Sequence, residues 1–431
     1  MTTIPLPLDG SSRAEGAQLL RPLGTLERLY HLWSSRHPMH HCLTVQLEAP
    51  ASRSRWQDAI TALRRRHPLL DARVVEAENG PWFAAAAHRE EPAGNAGGGT
   101  TGVLGTTTAR EWTEVVAAEL AAPLTGGQLF RATVLPGGDT AVLVFGHEAL
   151  DGRAAASVAA DLPAALAGRE LPPLRLPAAR EELLAADPGV RAVLEAGPAA
   201  PPAVDPRLRA PAQLRSFDGA APVVSALRLE QDLTGRLRTR ARAERCTVHA
   251  ALVTALARVV AAERDLEAVR VLSPIDVRAS LPASAAEQPA SAAEGLLLHV
   301  GRTLAQPGGE FWTAAREQVA ALAPHRDVLA AARAAAAQEA FVGARAGAED
   351  AERLMAGGAL GLDVLVSNLG ALPTIPGVRG LWGPSMLNQV LGEQVVGALT
   401  LAGRLHLTCV SHVPVPGLLE RTGQVLEAAL A

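Results

Sequence analysis

A histidine, an aspartate four residues on and a glycine directly after it follow one apolar run of the chain. The run Ala141-Val142-Leu143-Val144-Phe145-Gly146 reads as a buried strand, and His147-Glu148-Ala149-Leu150-Asp151-Gly152 comes next. A free imidazole has a pKa of about 6.5 and is largely neutral at cellular pH. Held at the end of a rigid strand, it can take a proton from an alcohol or amine as that group attacks a carbonyl, an effect of about 10²- to 10⁴-fold in rate. Gly152 lets the backbone turn tightly and leaves the space before the ring open. Asp151 has two readings. Either it orients the imidazole, as in a serine-protease triad, or it is a structural anion that pairs with a buried arginine and fixes the loop. Spacing alone does not choose between them. No Gly-x-Ser-x-Gly nucleophile elbow occurs, and Ser157 stands in an Ala-rich helical stretch, so direct transfer with a single base is the simpler chemistry.

The remaining reactive side chains carry less. His40, His41 and Cys42 are adjacent, and neighbours on a strand point to opposite faces, which makes joint metal chelation awkward. A structural role is expected for them, and no metal is expected. His406 and His412 have no assignment. The 3 cysteines, Cys42, Cys246 and Cys409, lie far apart and give neither a disulfide framework nor a zinc knuckle. A net charge of -4 gives no reason to expect nucleic acid or an anionic membrane, and Arg64-Arg65-Arg66 reads as a solvated helix end. The N-terminal stretch lacks the basic-then-apolar order of a signal peptide, and no uncharged apolar run reaches the ~18 residues of a bilayer span. The expected setting is the cytoplasm, without stable membrane insertion.

The elements that must position His147 follow from periodicity. Residues 21–40 carry Leu26, Leu29, Tyr30 and Trp33 at helical spacing, and residues 40–47 read as a strand. Residues 53–66 form a helix with Trp56, Ile60 and Leu63 on one face, closed by His67-Pro68. Residues 70–77 return as a strand. Residues 91–108 are a Gly/Thr/Ala-rich loop, 111–120 a short helix, and 129–135 and 140–145 an antiparallel hairpin around Pro136-Gly137-Gly138-Asp139. Residues 154–166 are helical. A Pro/Ala-rich tract at about 195–222 suits a crossover linker. Beyond it come a strand at 223–229, helices at 233–243 and 247–262, and a strand at 269–273 that ends at Pro274. Residues 311–340 are mostly helical, 362–367 form an apolar strand, and Trp382-Gly383-Pro384-Ser385 reads as a loop. A hairpin at 395–401 and 405–411 and a helix at 418–430 close the chain. The pattern describes two α+β halves of similar size.

The motif resembles that of the condensation-domain superfamily, which includes nonribosomal peptide condensation domains, chloramphenicol acetyltransferase and polyketide-associated stand-alone acyltransferases. Its signature is His-His-x-x-x-Asp-Gly. The second histidine, the family's base, falls on His147, and Gly146 replaces the first. Arg65-Arg66-His67-Pro68-Leu69-Leu70 resembles the family's early RHP.L stretch, Ser273-Pro274-Ile275-Asp276-Val277-Arg278 its P.D.R stretch, and Val366-Ser367-Asn368-Leu369-Gly370 its SN.G stretch. Their order and spacing span nearly the whole chain. The resemblance implies an α+β pseudo-dimer of two chloramphenicol-acetyltransferase-like subdomains, residues 1–180 and 223–431, joined by a crossover at 181–222, with an active-site tunnel between them. It implies His147 as the general base, Asp151 and Gly152 as structural support, Arg278 as the partner of Asp151, and Gly146, Ser367 and Asn368 near the tunnel, with one of His40, His41 and Cys42 able to line it.

Under that resemblance the reaction is acyl transfer from a thioester to an alcohol or amine in natural-product biosynthesis. The donor is the phosphopantetheine thioester of an acyl or peptidyl carrier protein, or an acyl-coenzyme A. No permanently bound cofactor is expected. Two other classes stay open: cyclisation or another non-transfer reaction on a tethered intermediate, and an inactive scaffold that binds a carrier protein.

Overall fold

The computed structural model describes residues 16–86, 103–199, 204–281, 294–343 and 346–431. The first half runs β1 (Leu19–Pro22), α1 (Thr25–Ser34), β2 (His40–Leu47), α2 (Arg53–Arg66), β3 (Ala72–Ala77), β4 (Gly80–Ala85), β5 (Leu104–Thr106), α3 (Trp112–Leu120), β6 (Phe130–Val134), β7 (Thr140–Gly146) and α4 (Gly152–Leu166). Helices α5 (Arg180–Leu184) and α6 (Pro188–Glu195) lie in and before the connection. The second half opens with β8 (Val223–Leu229), α7 (Gln231–Ala243), α8 (Val248–Arg264), β9 (Val269–Asp276) and β10 (Leu298–Ala305). It continues through α9 (Phe311–Leu322), α10 (Val328–Val342), α11 (Ala348–Leu354), β11 (Val364–Ala371), β12 (Val378–Met386), β13 (Gln394–Leu401), β14 (Arg404–Ser411) and α12 (Leu418–Ala428).

Strand β7 is central because it is apolar on both faces, and only a position between two neighbours and two layers buries it all. It pairs antiparallel with β2 and β6 in a 5-stranded sheet of order β12-β2-β7-β6-β5. Leu143 and Phe145 face α2 and α4, whereas Val142 and Val144 face Val115 and Val116 of α3. Helix α2 is capped by Ser52, whose side chain accepts from the Arg55 N–H, and it buries Trp56, Ile60 and Leu63 along one stripe. Each such side chain stabilises the fold by about 1.5–3 kcal/mol on burial.

A 6-stranded sheet of order β10-β9-β11-β13-β14-β8 forms the second half, and α8 and α9 pack their apolar stripes on Val271, Val366, Val396 and Leu407. The halves interpenetrate. After β11, the chain crosses over, and β12 pairs antiparallel with β2, placing Leu381 opposite Val45 and Met386 opposite His41. The crossing passes so close to β13 that a Cβ on Gly397 would lie 2.3 Å from the Pro384 carbonyl oxygen, so only glycine fits there. In return, Leu26, Tyr30 and Trp33 of α1 share a core with Leu272, Leu298 and Leu365. The limits 1–180 and 223–431 are therefore crossed in both directions.

Three sequence expectations change. The stretch Trp382-Gly383-Pro384-Ser385 is not a loop: it lies in β12, buried, because this strand enters the other half's sheet. Pro274 does not end its strand. It pairs with Val300 on one side, and β11 pairs with β9 only at Val271 and Leu272, so no ladder on that side needs the N–H proline lacks. Helix α6 and most of α5 fall inside the expected crossover at 181–222. Of the expected loop at 91–108, residues 91–102 lie outside the described residues, and Leu104–Thr106 is a strand. The N-terminal stretch read against a signal peptide also lies outside them for residues 1–15. Among the described residues, no single helix is long and apolar enough to cross a membrane.

Candidate active site

His147 leaves the end of β7 with its backbone held on both sides. Its N–H donates to the Met39 carbonyl at 3.2 Å, and the N–H groups of Ala149 and Leu150 return to the Gly146 carbonyl at 3.0 and 3.2 Å. This tight turn brings the Leu150 carbonyl to 3.1 Å from His147 Nδ1. A carbonyl can only accept, so Nδ1 carries the proton and Nε2 keeps its lone pair. Burial holds the His147 imidazole below its ordinary value, against the opposing pull of the Leu150 carbonyl and of Asp151. The ring is thus neutral at pH 7, fixed in one tautomer, and basic at Nε2.

Asp151 does not orient this ring. Its Oδ1 accepts from the N–H groups of Arg153 and Ala154, both at 3.0 Å, which caps α4. Its Oδ2 accepts from the Leu297 N–H at 2.8 Å. Arg278 closes the set, with Nη1 donating to Oδ2 at 2.9 Å and Nη2 to Oδ1 at 3.1 Å. The guanidinium also donates to Asp276 and to the Gly295 carbonyl, which itself accepts from the Asp151 N–H. One buried carboxylate therefore ties the start of α4 to Arg278 and Leu297 of the second half. Of the two roles left open for Asp151, the hydrogen bonds match the structural anion.

The other residues singled out by sequence lie around this knot. Gly152 leaves no room for a side chain, because a Cβ would meet Leu369 at 2.9 Å and Pro384 at 3.1 Å, bringing β11 and β12 onto α4. Ser367 is buried opposite Gly397 in the β11–β13 ladder, and Asn368 Oδ1 accepts from the Gly370 N–H at 2.9 Å. Among the described residues, neither side chain bonds to His147. The next residue, Leu369, accepts at its carbonyl from Arg153 of α4 at 2.8 Å. Where the family motif has its first histidine, a Cβ on Gly146 would lie 3.1 Å from Glu148 Oε2 and 3.2 Å from Leu129. The Glu148 carboxyl fills that space, and burial raises its pKa.

Two neighbours of His147 carry no motif signal. Tyr30 of α1 lies with its ring centre 4.9 Å from that of His147, and burial pushes its hydroxyl up to about 12, so it remains a donor. His41 of β2 lies at 5.1 Å in an edge-on arrangement. Its cross-strand partner is Phe145, two residues before His147, which puts both imidazoles on one face of the sheet. His40 points the other way and bonds to the Glu119 carbonyl at 2.8 Å. Tyr30 is the chain's only tyrosine, which is a weak flag, and the register that brings His41 to His147 has no local signature. Among the described residues, no group of three or more His, Cys, Asp or Glu side chains could hold a metal ion. A surface pocket of about 310 Å³ lined by Trp56, Leu104 and Pro136 contains none of the motif residues.

No family model matches the chain, and no curated protein matches it in sequence. Solved structures do match over nearly its whole length. Polyketide synthase associated protein 5 from Mycobacterium tuberculosis superposes with a TM-score of 0.63 at 20% identity, covering 96% of this chain and 99% of that one. The first condensation domain of the calcium-dependent antibiotic synthetase gives 0.62 at 17%, covering 96% and 97%. The wax ester synthase/diacylglycerol acyltransferase from Marinobacter aquaeolei VT8 gives 0.56 at 15%, covering 95% and 98%. At these identities the likeness speaks for the fold, and the chain has the chloramphenicol-acetyltransferase-like pseudo-dimer fold of the condensation domains.

Proposed function

We propose that the protein is an acyltransferase that moves an acyl group from a thioester to an alcohol or amine, with His147 as general base. The observation that carries this reading is the Nδ1 bond to the Leu150 carbonyl, which leaves a neutral imidazole whose Nε2 has no hydrogen-bond partner among the described residues, at the junction of the two halves. Nε2 takes the acceptor's proton as its oxygen or nitrogen bonds to the thioester carbon. The carbonyl electrons move to oxygen, and the tetrahedral intermediate then reforms the carbonyl as the C–S bond breaks. The imidazolium returns its proton to the departing thiolate. No covalent acyl-enzyme is needed, since no serine or cysteine is bonded to His147 among the described residues.

The donor in this reading is a phosphopantetheine thioester on an acyl or peptidyl carrier protein, or an acyl-coenzyme A. The acceptor is a small molecule that comes through a tunnel between the halves. Support for a carrier and for natural-product chemistry comes from the structural neighbours, which include synthase condensation domains and a polyketide synthase associated protein. Incubating the protein with acyl-coenzyme A or acyl-carrier thioesters and a set of alcohols and amines, with mass-spectrometric readout, tests the reading. Transfer product that disappears in His147→Ala supports it. Conversion of a tethered intermediate without transfer would instead favour cyclisation, and carrier binding without turnover would leave a scaffold.

A further inference from the structure

His41 is 1% exposed, and neither of its ring nitrogens has a hydrogen-bond partner among the described residues. A buried polar group left so costs about 1–3 kcal/mol. Packing alone would favour an apolar ring here, since His41 stacks on Phe145 at 5.4 Å. Its other aromatic neighbour is His147, edge-on at 5.1 Å. The unpartnered imidazole thus lies directly beside the proposed base. Burial and the neighbouring imidazoles hold His41 well below its ordinary pKa, so it offers a neutral N–H. Acyl transfer needs such a donor, because the thioester oxygen becomes an anion when the acceptor adds. Tyr30 suits this less well, as its hydroxyl feels Arg180 and Asp151, on the structural side of the site.

Resting on the acyl-transfer reading above, we propose that His41 is a second catalytic residue, donating a ring N–H to the oxyanion formed on the thioester carbonyl while His147 holds the acceptor's proton. The acceptor oxygen or nitrogen bonds to the carbonyl carbon as its proton passes to His147, the π pair moves to oxygen and is met by His41, and its return expels the thiolate, which takes the proton from His147. The chain would thereby draw its second imidazole from β2, across the sheet, where relatives of the motif place one in sequence beside the base.

The test uses the full chain with octanoyl-coenzyme A as donor and octan-1-ol or octan-1-amine as acceptor, measuring kcat and KM for wild type, His147→Ala, His41→Phe and His41→Gln. Phe keeps the ring and removes the donor, whereas Gln restores an N–H. The expected result is that His41→Phe lowers kcat by about 10²- to 10³-fold at nearly constant KM, that His41→Gln recovers most of the loss, and that the thermal midpoint of His41→Phe does not fall. If His147→Ala is inactive while His41→Phe turns over like wild type, the proposal fails and the acyl-transfer reading stands. Equal losses in both His41 variants, tracking lost stability, show a packing role and overturn it. Wild-type rates in His147→Ala, or no transfer by wild type, overturn the reading and the proposal together.

Discussion

Gly146 shows how one small residue reorganises its surroundings. The chain departs here from the tandem-histidine motif, and the structure shows the volume of the absent side chain taken by the Glu148 carboxyl and Leu129. Restoring the motif by Gly146→His should therefore overpack the turn and cost about 1–3 kcal/mol in chemical denaturation. Adding Glu148→Ala should relieve part of that cost, so the pair is non-additive; strictly additive effects would mean that the two residues do not compete for space. At this scale the sequence was readable where a motif string names its residues: His147, Asp151, Gly152 and Arg278 all come from short local patterns. Tyr30 was not readable as a site residue, and His41 only as one of three residues able to line a tunnel. Their nearness to His147 depends on how α1 packs and on the β2–β7 register, and neither is local information.

Between elements, the Asp151–Arg278 pair fastens α4 to the second half. Both side chains are largely buried, at 4% and 14% exposure, and the carboxylate is also the cap of α4 and the acceptor for Leu297. Removing one partner strands a buried charge, so Arg278→Ala or Asp151→Ala should each destabilise by about 3–5 kcal/mol. The double variant should lose less than the sum, by a cycle of urea unfolding curves. Asp151→Ala should also fray the start of α4, which circular dichroism would register as lost helix. Element positions were legible wherever one face or one cap dominates. The helix at 53–66 and the strands at 40–47 and 223–229 agree with Arg53–Arg66, His40–Leu47 and Val223–Leu229. Strand β12 was hidden because its Gly and Pro read as a turn locally, while its pairing partner lies in the other half.

Across the whole molecule, a second fastening joins the halves through His67. The ring is fully buried, with Nδ1 2.8 Å from Glu294 of the second half and Nε2 3.2 Å from Asp161 of α4. Burial alone would lower its pKa, but Asp161 and Glu294 outweigh it and the net shift is upward. A histidine raised in the folded state contributes stability in full below its unfolded value of about 6.5 and loses it as pH rises through the folded value. The gap in thermal midpoint between wild type and His67→Gln should accordingly shrink as pH rises from 6 to about 9; a constant gap would mean that His67 is neutral throughout. Glu393, pushed up to about 7 by burial, weakens the fold in the same direction, so the difference between the two proteins isolates His67. The measurement that bears most directly on the central claim is the pH dependence of kcat/KM for acyl transfer. A base that burial holds below its ordinary value predicts a single acid limb, with a midpoint below about 6.5 and a plateau through neutrality, absent from His147→Ala. A midpoint well above that value, or an unchanged limb in His147→Ala, would contradict the assignment of His147 as the base.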